Sequence, residues 1–303
     1  MKLLIVMPSM IRAQTAMAAI IAIGTFGSGS PAYTVKPMMP KMVKSAEMIA
    51  AICPPQASVS PQGREGKGDE GGANEMLYPA SLTKVMTALV AIKNGNLEET
   101  LVATENVKIS ERGATLIGLK SGDTMTLNQA LHILLINSSN DVANLIAENI
   151  GGDIETFVGM MNEEAVRLGA TNTNFTNPHG LSDSNHYTTV YDMYLIFNEA
   201  IKYDKFNEII HTESYETVYY DSRGREKSVD ITTTNMFLRG NYTAPNNMTI
   251  VGGKTGTTDM SGHCLMILAK DTSGNPYIGV ILRASSRDLI NTEMVQMLSE
   301  INK

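Results

Sequence analysis

Three short stretches of this chain carry residue types that could do chemistry together: Ser81-Leu82-Thr83-Lys84, Ser138-Ser139-Asn140 and Lys254-Thr255-Gly256. On a helix, residues three apart share a face, so Ser81 and Lys84 would lie within reach of one another. A serine hydroxyl needs a base before it can attack an acyl carbon, and a lysine is a base only when neutral. Burial and a neighbouring cation both depress a lysine toward that state. Ser-x-x-Lys alone is weak, because a solvated helix start can carry it by chance, but this is the only match in the chain.

Ser138 and Asn140 fall where a long helical pattern breaks, and a polar turn between two apolar helices can project side chains into a cleft. The plain alternative is a helix-helix turn with Asp141 capping the second helix. Ser273-Gly274-Asn275 fits the same Ser-x-Asn pattern but lies between two strand patterns, and is read as turn chemistry only. Lys254-Thr255-Gly256 follows the apolar TIVGG and belongs on or beside a strand. A cation there can hold a carboxylate, and Gly256 would let an acyl group approach the backbone; the alternative is an edge strand protected by lysine. Strict alternation sends Lys254 and Thr255 to opposite faces. Either the glycines twist the strand or one of the two side chains alone faces the site.

The elements that must position these residues read as follows. A helix is expected from Ser81 to Ile92, stopped by Asn94-Gly95. A second starts at Leu127, breaks at 137–141 and resumes with Val142, Leu145 and Ile146 on one face. A third runs from about Ile154 to Leu168, closed by Gly169. Thr189 with Asp192 forms a capping-box-like start for a helix through Tyr203. CLMILA and YIGVIL, separated by KDTSGNP, read as a hairpin, and a last helix runs from about Arg287 to Ile301. A helix-rich middle between sheet-forming ends suggests an α+β fold with a helical insertion.

The order Ser-x-x-Lys, Ser-x-Asn, Lys-Thr-Gly is more specific than its parts and is that of penicillin-binding proteins and class A β-lactamases. With the flanking stretches YPASLTKVMTALVA, IGLKSGDTMTLNQALHILLINSSNDVANLIAE, FTNPHGLSDSNHYTTVYDM and VGGKTGTTDMSGHCLMILA, the chain from about Leu77 to Lys303 resembles the D-alanyl-D-alanine carboxypeptidases of low molecular mass. The resemblance implies an α/β fold of β-lactamase/transpeptidase type: an antiparallel sheet flanked by helices, with a helical subdomain. It implies Ser81 as nucleophile, Lys84 as the base of acylation, Ser138 in the proton relay, and Asn140 holding Lys84 or the substrate amide. Lys254, Thr255 and Arg287 would bind a terminal carboxylate, and the backbone amides of Ser81 and Thr257 would form an oxyanion hole. The substrate implied is the peptidoglycan pentapeptide stem, with β-lactams as inhibitors and no cofactor. His179 and His186 are read as packing or turn residues. The resemblance lacks a β-hairpin with a Thr-Gly turn before the Ser-x-x-Lys helix, where 54–75 is irregular instead. The β-rich second domain and amphipathic C-terminal anchor common in the family have no counterpart in these residues. A β-lactamase and a catalytically idle cell-wall-binding module are the alternatives; no acidic residue stands in a family-like context for the water activation a β-lactamase needs.

The rest of the sequence narrows the setting. With 303 residues, 43% hydrophobic and 18% charged, the chain is globular. A net charge of -7 without a basic stripe argues against nucleic acid. Two cysteines, Cys53 and Cys264, build no disulfide framework, and no Cys/His cluster has metal-ligand spacing. Lys2 and Arg12 precede an apolar run, and Ser30-Pro31-Ala32 places small residues where a signal peptidase reads, so residues 1–32 are expected to be an export signal. An uncleaved anchor is the alternative, and membrane association is expected through the N-terminus only. An irregular segment over 33–76 would then lead into the catalytic domain over 77–303.

Overall fold

The computed structural model describes residues 73–301 in full and, before them, the backbone of four short strands: β1 (Lys2–Leu4), β2 (Val6–Met7), β3 (Ala18–Ile23) and β4 (Ile49–Ala50). The expected export signal and irregular segment, with Cys53, otherwise lie outside the described residues. Within the apolar run of that expected signal, the backbone of β3 pairs antiparallel with the last strand of the main sheet.

A 3-10 turn over Ala80–Leu82 leads into α1 (Thr83–Asn94), which Gly95 closes. Next come β5 (Thr100–Val102), β6 (Thr124–Thr126), α2 (Leu127–Ile136), α3 (Asn140–Gly151) and α4 (Ile154–Arg167). The helix cut at 137–141 is thus two helices, α2 starting from a full capping box of Thr126 and Gln129. After these come α5 (Val190–Ala200), capped by Thr189 and ending three residues short of the expected Tyr203, and a separate α6 (Asp204–His211) that starts just after it. A hairpin of β7 (Ser214–Tyr220) and β8 (Glu226–Thr232) follows, then β9 (Met248–Thr258), β10 (Gly262–Asp271), β11 (Pro276–Ala284) and α7 (Arg287–Ser299).

The main sheet has the order β1-β3-β11-β10-β9, antiparallel throughout, and a second sheet has the order β5-β6-β7-β8. The expected hairpin of CLMILA and YIGVIL is β10 and β11, and its turn is held by Asp271, whose carboxylate accepts from the Ser273 and Asn275 N–H groups. The Ser-Gly-Asn decoy is therefore turn chemistry.

Both faces of the sheet are covered, which is why β10 reads as an unbroken apolar run. Met266 and Leu268 join the large core under α1 to α5, while Leu265 and Ile267 join a second core under α7, with Ile290, Met294 and Leu298. A β-carbon on Gly279 would stand 2.6 Å from Met294 Sδ, so α7 packs directly on β11 at that point. The functional motifs end up on three rigid pieces: the start of α1, the α2–α3 turn and β9. No helix among the described residues is long and apolar enough to cross a membrane.

Candidate active site

The three motifs converge. Ser81 lies in the 3-10 turn just before α1, three residues ahead of Lys84, which is wholly buried in the first turn of that helix. Lys84 Nζ is 2.9 Å from Ser81 Oγ, 2.7 Å from Asn140 Oδ1 and 2.6 Å from the His179 carbonyl oxygen. The last two partners can only accept. A neutral amine has two N–H groups and one lone pair, so donating to Asn140 and His179 leaves the lone pair for Ser81, the one partner with a proton to give. Burial holds Lys84 well below the ordinary lysine range, the nearby Lys254 ammonium adds to the shift, and Asp141 opposes it.

The second motif is shaped by backbone as much as by side chains. Ser138 adopts a positive φ of 68°, and Ser139 is the N-cap residue of α3 without a side-chain capping bond. Asp141 does not cap in the usual way either. Its carboxylate accepts from the Gly118 and Leu119 N–H groups at 2.8 and 3.0 Å, and the Asn140 N–H donates to the Thr115 carbonyl at 2.8 Å. These bonds tie the loop through 115–119 to the rim of the site, and Thr115 lines the cleft.

β9 closes the opposite side. Strand alternation is obeyed: Thr255 lines the cleft, while Lys254 is buried behind it and reaches Ser138 Oγ at 2.9 Å and the Thr255 carbonyl at 2.8 Å. Of the two side chains, then, one faces the cleft and the other supports it from the interior. Burial pushes Lys254 down to about 7. Gly256 passes so close to the nucleophile that a β-carbon there would meet the Ser81 nitrogen at 2.9 Å. Thr257 follows, and Arg287 comes from the start of α7, so that a cleft of about 210 Å³ is lined by Ser81, Ser138, Thr255, Gly256, Thr257 and Arg287.

Lys84 and Asn140, like Lys254, are buried, and their bonds to Ser81 and to one another lie just behind that lining. All nine residues singled out in the sequence are therefore brought into one place. Sequence reasoning missed Thr234, Arg239 and His263, which also line the cleft. Thr255 Oγ1 donates to Thr234 Oγ1 at 2.6 Å, and His263 Nδ1 lies 3.1 Å from Thr257 Oγ1. None of the three sits in a short motif; His263 is placed by pairing with Thr257 across β9 and β10.

The segment around His179 and His186, read as structural, contributes more than packing. The His179 side chain accepts from the Leu181 N–H at 3.1 Å, but its carbonyl is a partner of Lys84. Gly180, at φ +83°, has no room for a side chain: a β-carbon would stand 1.9 Å from the Ala80 carbonyl oxygen.

Comparison with known proteins agrees with this geometry. The sequence profile of the family described as D-alanyl-D-alanine carboxypeptidase matches residues 69–286. The D-alanyl-D-alanine carboxypeptidase DacF of Bacillus subtilis is 34% identical over 234 residues, 75% of this chain and 56% of the relative. DacC of Escherichia coli, likewise described as a D-alanyl-D-alanine carboxypeptidase, is 32% identical over 243 residues, 76% and 56% of the two chains. This chain thus spans little more than half the length of those curated relatives. The crystal structure of the Streptomyces K15 DD-transpeptidase superposes with a TM-score of 0.68 at 26% identity, covering 75% of this chain and 88% of that one.

Proposed function

This chain belongs to the D-alanyl-D-alanine carboxypeptidase family, and from that premise we propose that it is an exported serine peptidase that removes the terminal D-alanine from peptidoglycan pentapeptides through an acyl-enzyme on Ser81. The observation that carries the reading is the bonding of Lys84, whose two acceptor partners leave its lone pair for the Ser81 hydroxyl.

In the first step Lys84 takes the Ser81 proton as Oγ attacks the carbonyl carbon of the penultimate D-alanine. A positioned general base of this kind contributes about 10²–10⁴-fold. The developing oxyanion accepts from the backbone N–H groups of Ser81 and Thr257, and Gly256, by carrying no side chain, leaves the Ser81 nitrogen uncrowded. Collapse breaks the peptide bond, and the D-alanine amine leaves with the proton that Lys84 took from Ser81, relayed by the Ser138 hydroxyl that Lys254 holds in place, so that Lys84 is neutral again. Water then hydrolyses the ester with Lys84 again as base. Thr255 and Arg287, which line the cleft, read the free carboxylate of the substrate, with Lys254 adding positive charge from behind the lining, and this selects cleavage at the C-terminus over cleavage within a peptide. β-Lactams acylate the same serine.

The work is done outside the cytoplasm, where peptidoglycan is found. The apolar N-terminal run with its small residues at 30 and 32 supports export, with any membrane contact through that segment; cleavage near Tyr33 would take β1 and β3 off the main sheet and leave β11 at its edge.

The test is kcat/KM for an acyl-D-Ala-D-Ala substrate and its C-terminal amide, with the wild type and Arg287→Ala. A bond from a cationic donor to a carboxylate contributes about 1.5–3 kcal/mol, so amidation should slow the wild type by about ten- to a hundredfold. Arg287→Ala should hurt the free acid far more than the amide; equal losses would remove Arg287 from the carboxylate site. A fluorescent penicillin followed over time separates the alternatives: stable labelling marks the carboxypeptidase, rapid loss a β-lactamase, and no label an idle binding module.

A further inference from the structure

We propose that His186 and Thr83 are positioning residues that lock the backbone of Ala80, and so aim both the hydroxyl and the N–H of Ser81; this rests on the reading of Ser81 as the acylated nucleophile.

Ala80 holds a positive φ of 49°, a conformation that a residue with a β-carbon occupies only when its surroundings enforce it. Four contacts surround this backbone. Thr83 Oγ1 donates to the Ala80 carbonyl at 2.8 Å. His186 Nε2 lies 2.8 Å from the same Thr83 oxygen. Gly180 packs against the Ala80 carbonyl on one side, and Gly256 packs against the Ser81 nitrogen on the other.

The direction of the bonds follows from proton counting. The Thr176 N–H donates to His186 Nδ1 at 3.0 Å, so that nitrogen carries the lone pair and neutral His186 keeps its proton on Nε2. Nε2–H then donates to Thr83 Oγ1, and the single Thr83 proton is left for the Ala80 carbonyl. Both His186 and Thr83 are buried, so no water competes for these bonds. Burial pushes His186 down to about 4, which keeps the imidazole neutral and this order of donors intact around neutral pH. His186 is 105 positions from Ser81 in sequence and does not line the cleft, so its influence on the reaction runs through Thr83 and Ala80.

The experiment resolves acylation by a fluorescent penicillin into the binding constant K and the acylation rate constant k2, together with Tm, for wild type, Thr83→Val, Thr83→Ser, His186→Phe and the Thr83→Val/His186→Phe double variant. Thr83→Val should lower k2 by about tenfold or more at unchanged K, because it misplaces an oxyanion donor rather than a binding group. Thr83→Ser, which keeps the hydroxyl, should restore k2. His186→Phe should lower k2 as a single variant but not further in the Thr83→Val background. Wild-type k2 in Thr83→Val, an equal loss in Thr83→Ser, or a loss confined to K or to Tm would each overturn the proposal. Should Thr83→Val fail to fold, His186→Phe decides by the same criterion: lowered k2 at unchanged K supports the positioning role and wild-type k2 overturns it. A wild type that takes no label would instead refute Ser81 as nucleophile, which is a separate failure.

Discussion

Gly180 and Ala80 are in backbone contact so close that a single methyl group cannot be inserted between them: a β-carbon on Gly180 would stand 1.9 Å from the Ala80 oxygen and 2.8 Å from Thr83 Oγ1. The loop that gives Lys84 its carbonyl partner therefore also presses on the residue before the nucleophile. Gly180→Ala must push one of the two segments aside, and at φ +83° it adds backbone strain as well. Penicillin acylation by this variant should fall by at least about tenfold at temperatures well below its own Tm, a loss of about 1.4 kcal/mol in the acylation barrier. Unchanged acylation would mean that the loop can withdraw without disturbing Ser81.

Asn140 offers a way to alter the charge of Lys84 without moving it. Asn140→Asp would set a carboxylate 2.7 Å from Nζ in a buried site, favour the ammonium and raise the Lys84 pKa. The neutral base would then exist only at higher pH, so the acid limb of the acylation pH profile should move upward. A stable variant with an unshifted profile would argue that Lys84 is not the titrating base.

Lys254 makes a prediction about stability. Its pKa falls from 10.5 to about 7 because of burial. Between those two values the unfolded chain holds a proton that the folded chain lacks, so stability climbs as pH rises through that window, and the burial penalty is felt in full below it. Lys254→Met removes the penalty while filling similar space. It should melt above the wild type by several degrees at about pH 6, with the gap shrinking toward about pH 10. A pH-independent gap would show that the buried lysine is not the source.

Asp141 gives a fourth test. Its carboxylate receives the Gly118 and Leu119 N–H groups, and it opposes the fall in the Lys84 pKa. Asp141→Ala should free the loop over 113–119, seen as faster limited proteolysis there, and should move the acid limb of acylation downward as Lys84 loses a favourable charge. Proteolysis at the wild-type rate would assign the loop's order to other contacts.

Much of this was legible in the sequence because the chemistry is carried by short motifs on regular elements. Ser81 and Lys84 needed only helical spacing, and Lys254 and Thr255 needed only a strand to be sent to opposite sides. What stayed hidden depends on tertiary contact. The His179 carbonyl carries no residue-type signal, since any residue supplies one. Arg239 and His263 reach the cleft through a loop and a cross-strand pairing that no periodicity reveals. The β7–β8 hairpin went unread although SYETVYY and EKSVDIT suit strands, because its apolar alternation is short, with Val229 and Ile231 the only buried apolar positions of β8 and Tyr219 the only one of β7.

The central claim is that Ser81 is the acylated residue, and intact-protein mass spectrometry after penicillin treatment, followed by peptide mapping, tests it most directly. The wild type should gain the mass of one penicillin, confined to the peptide containing Ser81, while Ser81→Ala should gain none and melt close to the wild type. An adduct on Ser81→Ala, or one mapped to another residue of the wild type, would contradict the account.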